Sequence, residues 1–165
     1  MSRVYWLTGL SGAGKTTIGT ILYQKLREQK SNVVFLDGDQ LRQVFGDDLG
    51  YTPEERRKSA MRNARLCKLL ADQGIDVVCC TISMFDSVRA WNRENISGYL
   101  EVYIKASMET LHKRDQKRLY SQGGSEVAGV SFSVEEPKNP DIVLENDGAF
   151  TPQEQAECLY RLRKD

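Results

Sequence analysis

Five apolar runs mark out the chain: RVYWLTG from residue 3, NVVFLDGD from 32, IDVVCCTIS from 75, YLEVYIKAS from 99 and PDIVLEND from 140. Within each run the apolar residues are continuous rather than alternating, as in strands covered by helices on both faces. Between the runs, positions such as Ile18, Ile21, Leu22 and Leu26 recur at helical spacing. Strand–helix repetition of this kind predicts five parallel strands with right-handed crossovers in a three-layer α/β domain.

Two helix starts can be read residue by residue. In TPEE, Thr52 is placed to cap, Pro53 fits the first helical position, and Glu55 follows three residues after the cap. Ala60, Ala64, Cys67 and Ala71 then recur along one face until Gly74 ends the helix. TPQE at Thr151 repeats the signal for a closing helix that should end near Arg163. No repeat, low-complexity tract or linker divides the sequence, so residues 1–165 are expected to form one domain. SQGGSEVAG, residues 121–129, is the one stretch small and polar enough to read as a mobile loop.

Composition narrows the function. The 165 residues are 40% hydrophobic and 28% charged, with 23 basic and 23 acidic side chains. That balance gives no general attraction to nucleic acid or acidic lipid, so neither a nucleic-acid nor a membrane partner is expected. Cys67, Cys79, Cys80 and Cys158 show no metal-ligand spacing, and the first three fall in buried-face patterns. They read as reduced core thiols, which points to a cytoplasmic protein. Strand-like residues from Val4 leave no room for a signal peptide, and no apolar run reaches membrane-spanning length.

The chemistry begins directly after the first strand. Gly9, Gly14, Lys15 and Thr16 fit G-x-x-x-x-G-K-[ST], with Ser11, Gly12 and Ala13 inside the loop and Thr17 just beyond it. Such a loop turns its backbone N–H groups toward a polyphosphate at a helix N-terminus. Lys15 would reach the β- and γ-phosphates of ATP, and Thr16 would place its hydroxyl on Mg²⁺. GTPases and transporter ATPases share this loop, but their N-K-x-D and L-S-G-G-Q signatures are absent. The chain is also short for a motor, which leaves small-molecule and nucleotide kinases.

FLDGDQLR places Asp37 and Asp39 at the carboxyl end of a parallel strand, where open α/β sheets bind ligands. One of these carboxylates can order the Mg²⁺ shell through water, and the other can orient and deprotonate an acceptor hydroxyl. Gly38 would allow close approach of a substrate, and Arg42 would face an anionic acceptor. HKRDQKRLY concentrates Lys113, Arg114, Lys117 and Arg118 just ahead of the glycine-rich loop. A charge run is ordinarily a solvated face. Beside a phosphate loop it reads as a lid, residues 113–136, with Arg114 contributing to transfer. His112 reads as a helix-surface residue.

These residues together resemble the adenylylsulfate kinase family. GLSGAGKTT, LDGDQLR, DLGYTPEER, KLLADQG, TIS, EVYIKAS, KRDQKRLY and EEPKNPDIVLEND follow that family's blocks in order, from Trp6 to Asp147. The resemblance implies a P-loop kinase that uses ATP and Mg²⁺ to phosphorylate the ribose 3′-hydroxyl of adenylyl sulfate. It assigns Asp39 to the acceptor side and Arg42 and Arg56 to the acceptor's anionic part. Tyr51 matches an aromatic that stacks on the acceptor base, while Ile82 and Ser83 line the acceptor strand end. Lys117 falls in the matching lid motif.

The departures gather on the acceptor side. Ser59 stands where the family has asparagine, Met61 where it has arginine, and TISM where it has F-I-S-P. RDQKRLY replaces R-D-P-K-G-L-Y, Val127 takes the place of the second stacking aromatic, and the lid is several residues shorter, with GGS as a minimal linker. A branch sharing TISMF and RDQK resembles the chain more closely and phosphorylates cytidine diphosphoramidate in surface-polysaccharide biosynthesis. Three readings stay open: adenylyl sulfate as acceptor, a pyrimidine nucleotide as acceptor, and an ATP-binding switch without transfer. A homodimer is compatible with all three.

Overall fold

A computed structural model of the chain describes residues 1–114 and 134–162. Five strands, β1 (Val4–Thr8), β2 (Val33–Asp37), β3 (Asp76–Thr81), β4 (Tyr99–Lys105) and β5 (Ile142–Glu145), form one sheet in the order β2-β3-β1-β4-β5. Every pairing is parallel, with Leu7 opposite Cys80 on one side and Val102 on the other. The expected five-stranded parallel α/β fold is present.

Both faces of the sheet are covered, which explains the continuous apolar runs. Tyr5, Leu7, Val78 and Cys80 pack with Ile18 and Leu22 of α1 (Lys15–Gln29) and with Ala156 and Leu159 of α6 (Pro152–Arg161). The alternate residues Val4, Trp6, Val77 and Cys79 pack with Ala60, Ala64 and Cys67 of α3 (Pro53–Asp72) and with Val88 of α4 (Asp86–Asn95). Each face thus buries several large side chains, at roughly 1.5–3 kcal/mol apiece.

The caps follow the sequence. The Thr52 side chain accepts from the Glu55 N–H, Pro53 opens α3, and the residue after its C-cap Gln73 is Gly74 at φ 81°. Thr151 and Glu154 form a reciprocal capping box on α6. That helix runs to Arg161, with Leu162 as its C-cap, and residues 163–165 lie outside the described residues. Two short helices complete the described residues, α2 (Gly38–Val44) and α5 (Met108–Lys113). The first was not apparent from periodicity, being only seven residues long; it is started by Asp37, whose side chain accepts from the Gln40 N–H. Lys117, Val127 and most of the expected lid lie outside the described residues.

Candidate active site

The order β2-β3-β1-β4-β5 puts the loop after β1 at the centre of the sheet's carboxyl edge, with the ends of β2 and β3 on one side and β5 on the other. Two glycines there leave no alternative. A Cβ on Gly9 would sit 2.4 Å from the Ile104 carbonyl oxygen. Gly14 has φ 107°, and its Cβ would lie 2.3 Å from the Asn146 side-chain nitrogen. The missing side chain at Gly9 and the left-handed backbone at Gly14 thus bring the loop against β4 and the residue after β5.

Lys15 is 8% exposed, and its Nζ donates to the carbonyls of Gly9 and Leu10 at 2.8 Å each. Burial and two acceptors hold the ammonium within the loop. Next to it, the Thr16 hydroxyl stands 3.4 Å from Asp37 Oδ1, and Asp37 Oδ2 accepts from the Gln40 N–H. That separation exceeds an ordinary O–H···O bond, so hydroxyl and carboxylate face each other without being locked together. Asp39 lies exposed in the first turn of α2. The nearest atoms to a Cβ on Gly38 belong to Thr81 and Cys80, at 3.4–3.6 Å, so a Cβ there would make ordinary van der Waals contact with β3.

On the acceptor side, Arg42 Nη1 donates to the carbonyls of Leu49 and Gly50 at 3.1 Å, and Arg56 Nε donates to that of Tyr51 at 2.9 Å. Both guanidinium groups lie over the Tyr51 ring, at 4.3 and 5.2 Å from its centroid. Glu55 accepts from the Gly50 N–H and from the Thr52 hydroxyl; the Gly50 bond, the larger cause, and the Thr52 bond hold its pKa below the usual carboxylate value. Ser59 is buried on α3. Ile82 accepts a short hydrogen bond from the Thr8 hydroxyl. Ser83 has φ 33° and is 5% exposed, and its hydroxyl is paired with that of Thr81 at 2.6 Å. Left-handed backbone at a residue with a Cβ is strained and persists only where surroundings enforce it.

Two residues escaped the sequence reading. Asn146, directly after β5, donates through its side chain to the Ala13 carbonyl at 2.8 Å. Its own carbonyl accepts from Arg114 Nη2 at 2.7 Å, while Arg114 Nη1 approaches the Gly12 and Ala13 carbonyls at 3.4 Å. Arg114 is therefore fixed on the phosphate loop. The second is Arg89, 5% exposed, which donates through Nη2 to Asp86 and, in a short bond, to the Glu135 carbonyl. Glu135 in turn donates its N–H to the Met84 carbonyl at 3.1 Å, tying the residues after Ser83 to the 135–136 segment. Asn146 could have been suspected from its place at a strand's carboxyl end; Arg89 had no local signal.

The three buried thiols are inert. Cys67, Cys79 and Cys80 are buried, and Cys158 is exposed. Burial pushes the Cys80 pKa well up, and the hydrogen bond with Cys67, followed by burial, does the same for Cys79.

A parallel sheet in this order, with a glycine-rich loop and its lysine between β1 and α1, defines a P-loop kinase fold. The adenylylsulphate kinase family model matches residues 1–145, and the chain belongs to that family. It is 38% identical over 162 residues to the cytidine diphosphoramidate kinase of Campylobacter jejuni, covering 96% of this chain and 94% of that protein. It is 40% identical over 146 residues to the adenylyl-sulfate kinase of Halothermothrix orenii, covering 86% and 79%. The Mycobacterium tuberculosis APS kinase CysC, solved in complex with AMPPNP and APS, superposes with a TM-score of 0.91 at 30% identity, covering 99% of this chain and 98% of that one. No helix among the described residues is long and apolar enough to cross a membrane.

Proposed function

We propose that the chain transfers the γ-phosphoryl group of ATP to the ribose 3′-hydroxyl of a small activated nucleotide, adenylyl sulfate. The observation that carries this reading is that Lys15 and Thr16 of the phosphate loop meet Asp37 at the end of β2, with Asp39 in the first turn of α2, the helix that also carries Arg42 of the Arg42–Tyr51–Arg56 cluster. Loop N–H groups and Lys15 bind the phosphates. Among the described residues no cluster of three His, Cys, Asp or Glu side chains could hold a metal. One hydroxyl and one carboxylate, Thr16 and Asp37, fit Mg²⁺, which keeps most of its shell from water and phosphate oxygens. When bound there, Mg²⁺ supplies positive charge to the phosphates.

Asp39 accepts the proton of the 3′-hydroxyl as its oxygen forms a bond to the γ-phosphorus. The bond from that phosphorus to the β–γ bridging oxygen breaks, and ADP leaves with the electron pair. Arg42 and Arg56 hold the acceptor's anionic part. Ser83, buried and paired with Thr81, serves as a binding and shaping residue.

A pyrimidine acceptor, cytidine diphosphoramidate, is the second reading, supported by 38% identity along nearly the full length of a kinase of that name. ADP release is measured with adenylyl sulfate, with cytidine diphosphoramidate and with neither. Acceptor-dependent ADP release with one of them identifies the acceptor. Equal rates in all three arms would leave only ATP binding or hydrolysis.

A further inference from the structure

We infer that Cys80 is a positioning residue for the Mg²⁺ position: its thiol holds the start of α1 on the sheet and so sets the separation of Thr16 from Asp37. The inference rests on the reading above that these two residues fit Mg²⁺. Thr16 belongs to α1 and Asp37 ends β2, and the two side chains face each other at 3.4 Å. A contact of that length does not fix its own distance. The distance follows instead from how α1 lies against the strands.

Cys80 is tied to both members of the pair. In the sheet it lies opposite Asp37 of β2 and, on its other side, opposite Leu7 of β1, the strand that feeds the phosphate loop. Its side chain, 1% exposed, donates through Sγ to the Lys15 carbonyl at 3.3 Å. A carbonyl only accepts, so the sulfur carries the proton. Lys15 is the first residue of α1 and the neighbour of Thr16. Gly19 makes the contact possible, because a Cβ there would come 2.3 Å from Cys80 Sγ. A helix points the N–H of that position at the same Lys15 carbonyl, so helix and strand share one oxygen. Phe35 and Leu7 close the remaining space, at 3.2 and 3.5 Å from the Cβ position. Alanine at both 19 and 80 would fill a similar volume but supply no donor.

That double substitution separates donor from packing. Full-length protein is titrated calorimetrically with ADP over a series of Mg²⁺ concentrations, beside a melting curve. Cys80→Ala should raise the Mg²⁺ concentration that half-saturates ADP binding by about two- to tenfold, the range for one lost hydrogen bond. ADP affinity without Mg²⁺ should change little, and Cys80→Ser, which keeps a donor, should stay close to wild type. In Gly19→Ala/Cys80→Ala the new methyl group takes the space left by the sulfur. Its Tm should recover relative to Cys80→Ala, while its Mg²⁺ requirement stays high. A Mg²⁺ requirement that returns to normal in the double variant would overturn the inference, since packing alone would then account for Cys80. So would an unmoved requirement in Cys80→Ala, or a serine variant that behaves like alanine. If ADP binding by wild type does not respond to Mg²⁺ at all, the Thr16–Asp37 reading itself fails, and the inference with it.

Discussion

The side chain of Asn146 donates to the carbonyl of Ala13 at 2.8 Å, joining the end of β5 to the phosphate loop across 133 residues of sequence. The same asparagine lies where a Cβ on Gly14 would go, so the loop is shaped around it. Asn146→Ala would leave the Ala13 carbonyl only the longer approach of Arg114 Nη1 at 3.4 Å, at a cost of about 1 kcal/mol. We expect a lower Tm and a raised KM for ATP, with the KM for the acceptor little changed. Steady-state kinetics in both substrates beside a melting curve checks this, and an unaltered KM for ATP would limit Asn146 to stability.

For Lys15 the expectation is different. Its ammonium sits between the Gly9 and Leu10 carbonyls, poised at the loop rather than within the apolar core. Lys15→Ala should lower kcat by orders of magnitude while the protein still melts cooperatively. Near-normal turnover would remove Lys15 from the mechanism.

Asp39 should matter to chemistry more than to binding. A carboxylate that orients and deprotonates a hydroxyl contributes about 10²- to 10⁴-fold. Asp39→Asn should lose that much kcat with a modest change in ATP affinity, measured by turnover and by nucleotide titration. A fully active variant would exclude it as the base.

Much of this site was legible because its signals are local. Thr52, Pro53 and Glu55 announce α3 within four residues, and Gly9 to Thr16 announce the loop within eight. The strands were legible because continuous apolar runs need cover on both faces, which the two core clusters supply. Asn146 and Arg89 were not, since their partners lie 133 and 46 residues away. Nor does any local pattern foretell that Ser83 sits at φ 33°, a conformation imposed by its surroundings. The pairing of Arg42 and Arg56 across Tyr51 likewise depends on how α2 and α3 approach each other.

Arg89 offers a test of those long-range ties. Removing it would leave Asp86 with Lys138 alone and take its donor from the Glu135 carbonyl. Arg89→Ala should destabilise the protein by about 1–3 kcal/mol, as for buried hydrogen bonds lost without replacement. It should also raise the acceptor KM through the 82–85 turn. Chemical denaturation and acceptor kinetics measure the two effects, and loss of stability alone would separate Arg89 from the site.

Acid should act through the same contact. The hydrogen bond from Arg89, ahead of that from Lys138, holds the Asp86 pKa below its usual value. A depressed folded-state pKa gives stability that is present above the unfolded value and lost as pH falls through the folded one. Asp48, Glu55, Asp147 and Glu157 are depressed in the same direction. Tm should therefore hold near neutrality and fall below about pH 4, the ordinary carboxylate range. The fall should be shallower in Asp86→Asn, and an identical slope in that variant would discount the Asp86–Arg89 contact.

The distribution of thiols has a practical consequence. Three of the four cysteines are sealed in the sheet and α3, while Cys158 stands exposed on α6, the helix packed beside α1. A maleimide dye added to the native protein should therefore attach once per chain, with no engineered background. Its reporter would sit on the helix that braces the one leading out of the phosphate loop, giving an optical readout of nucleotide binding without touching a residue of the site.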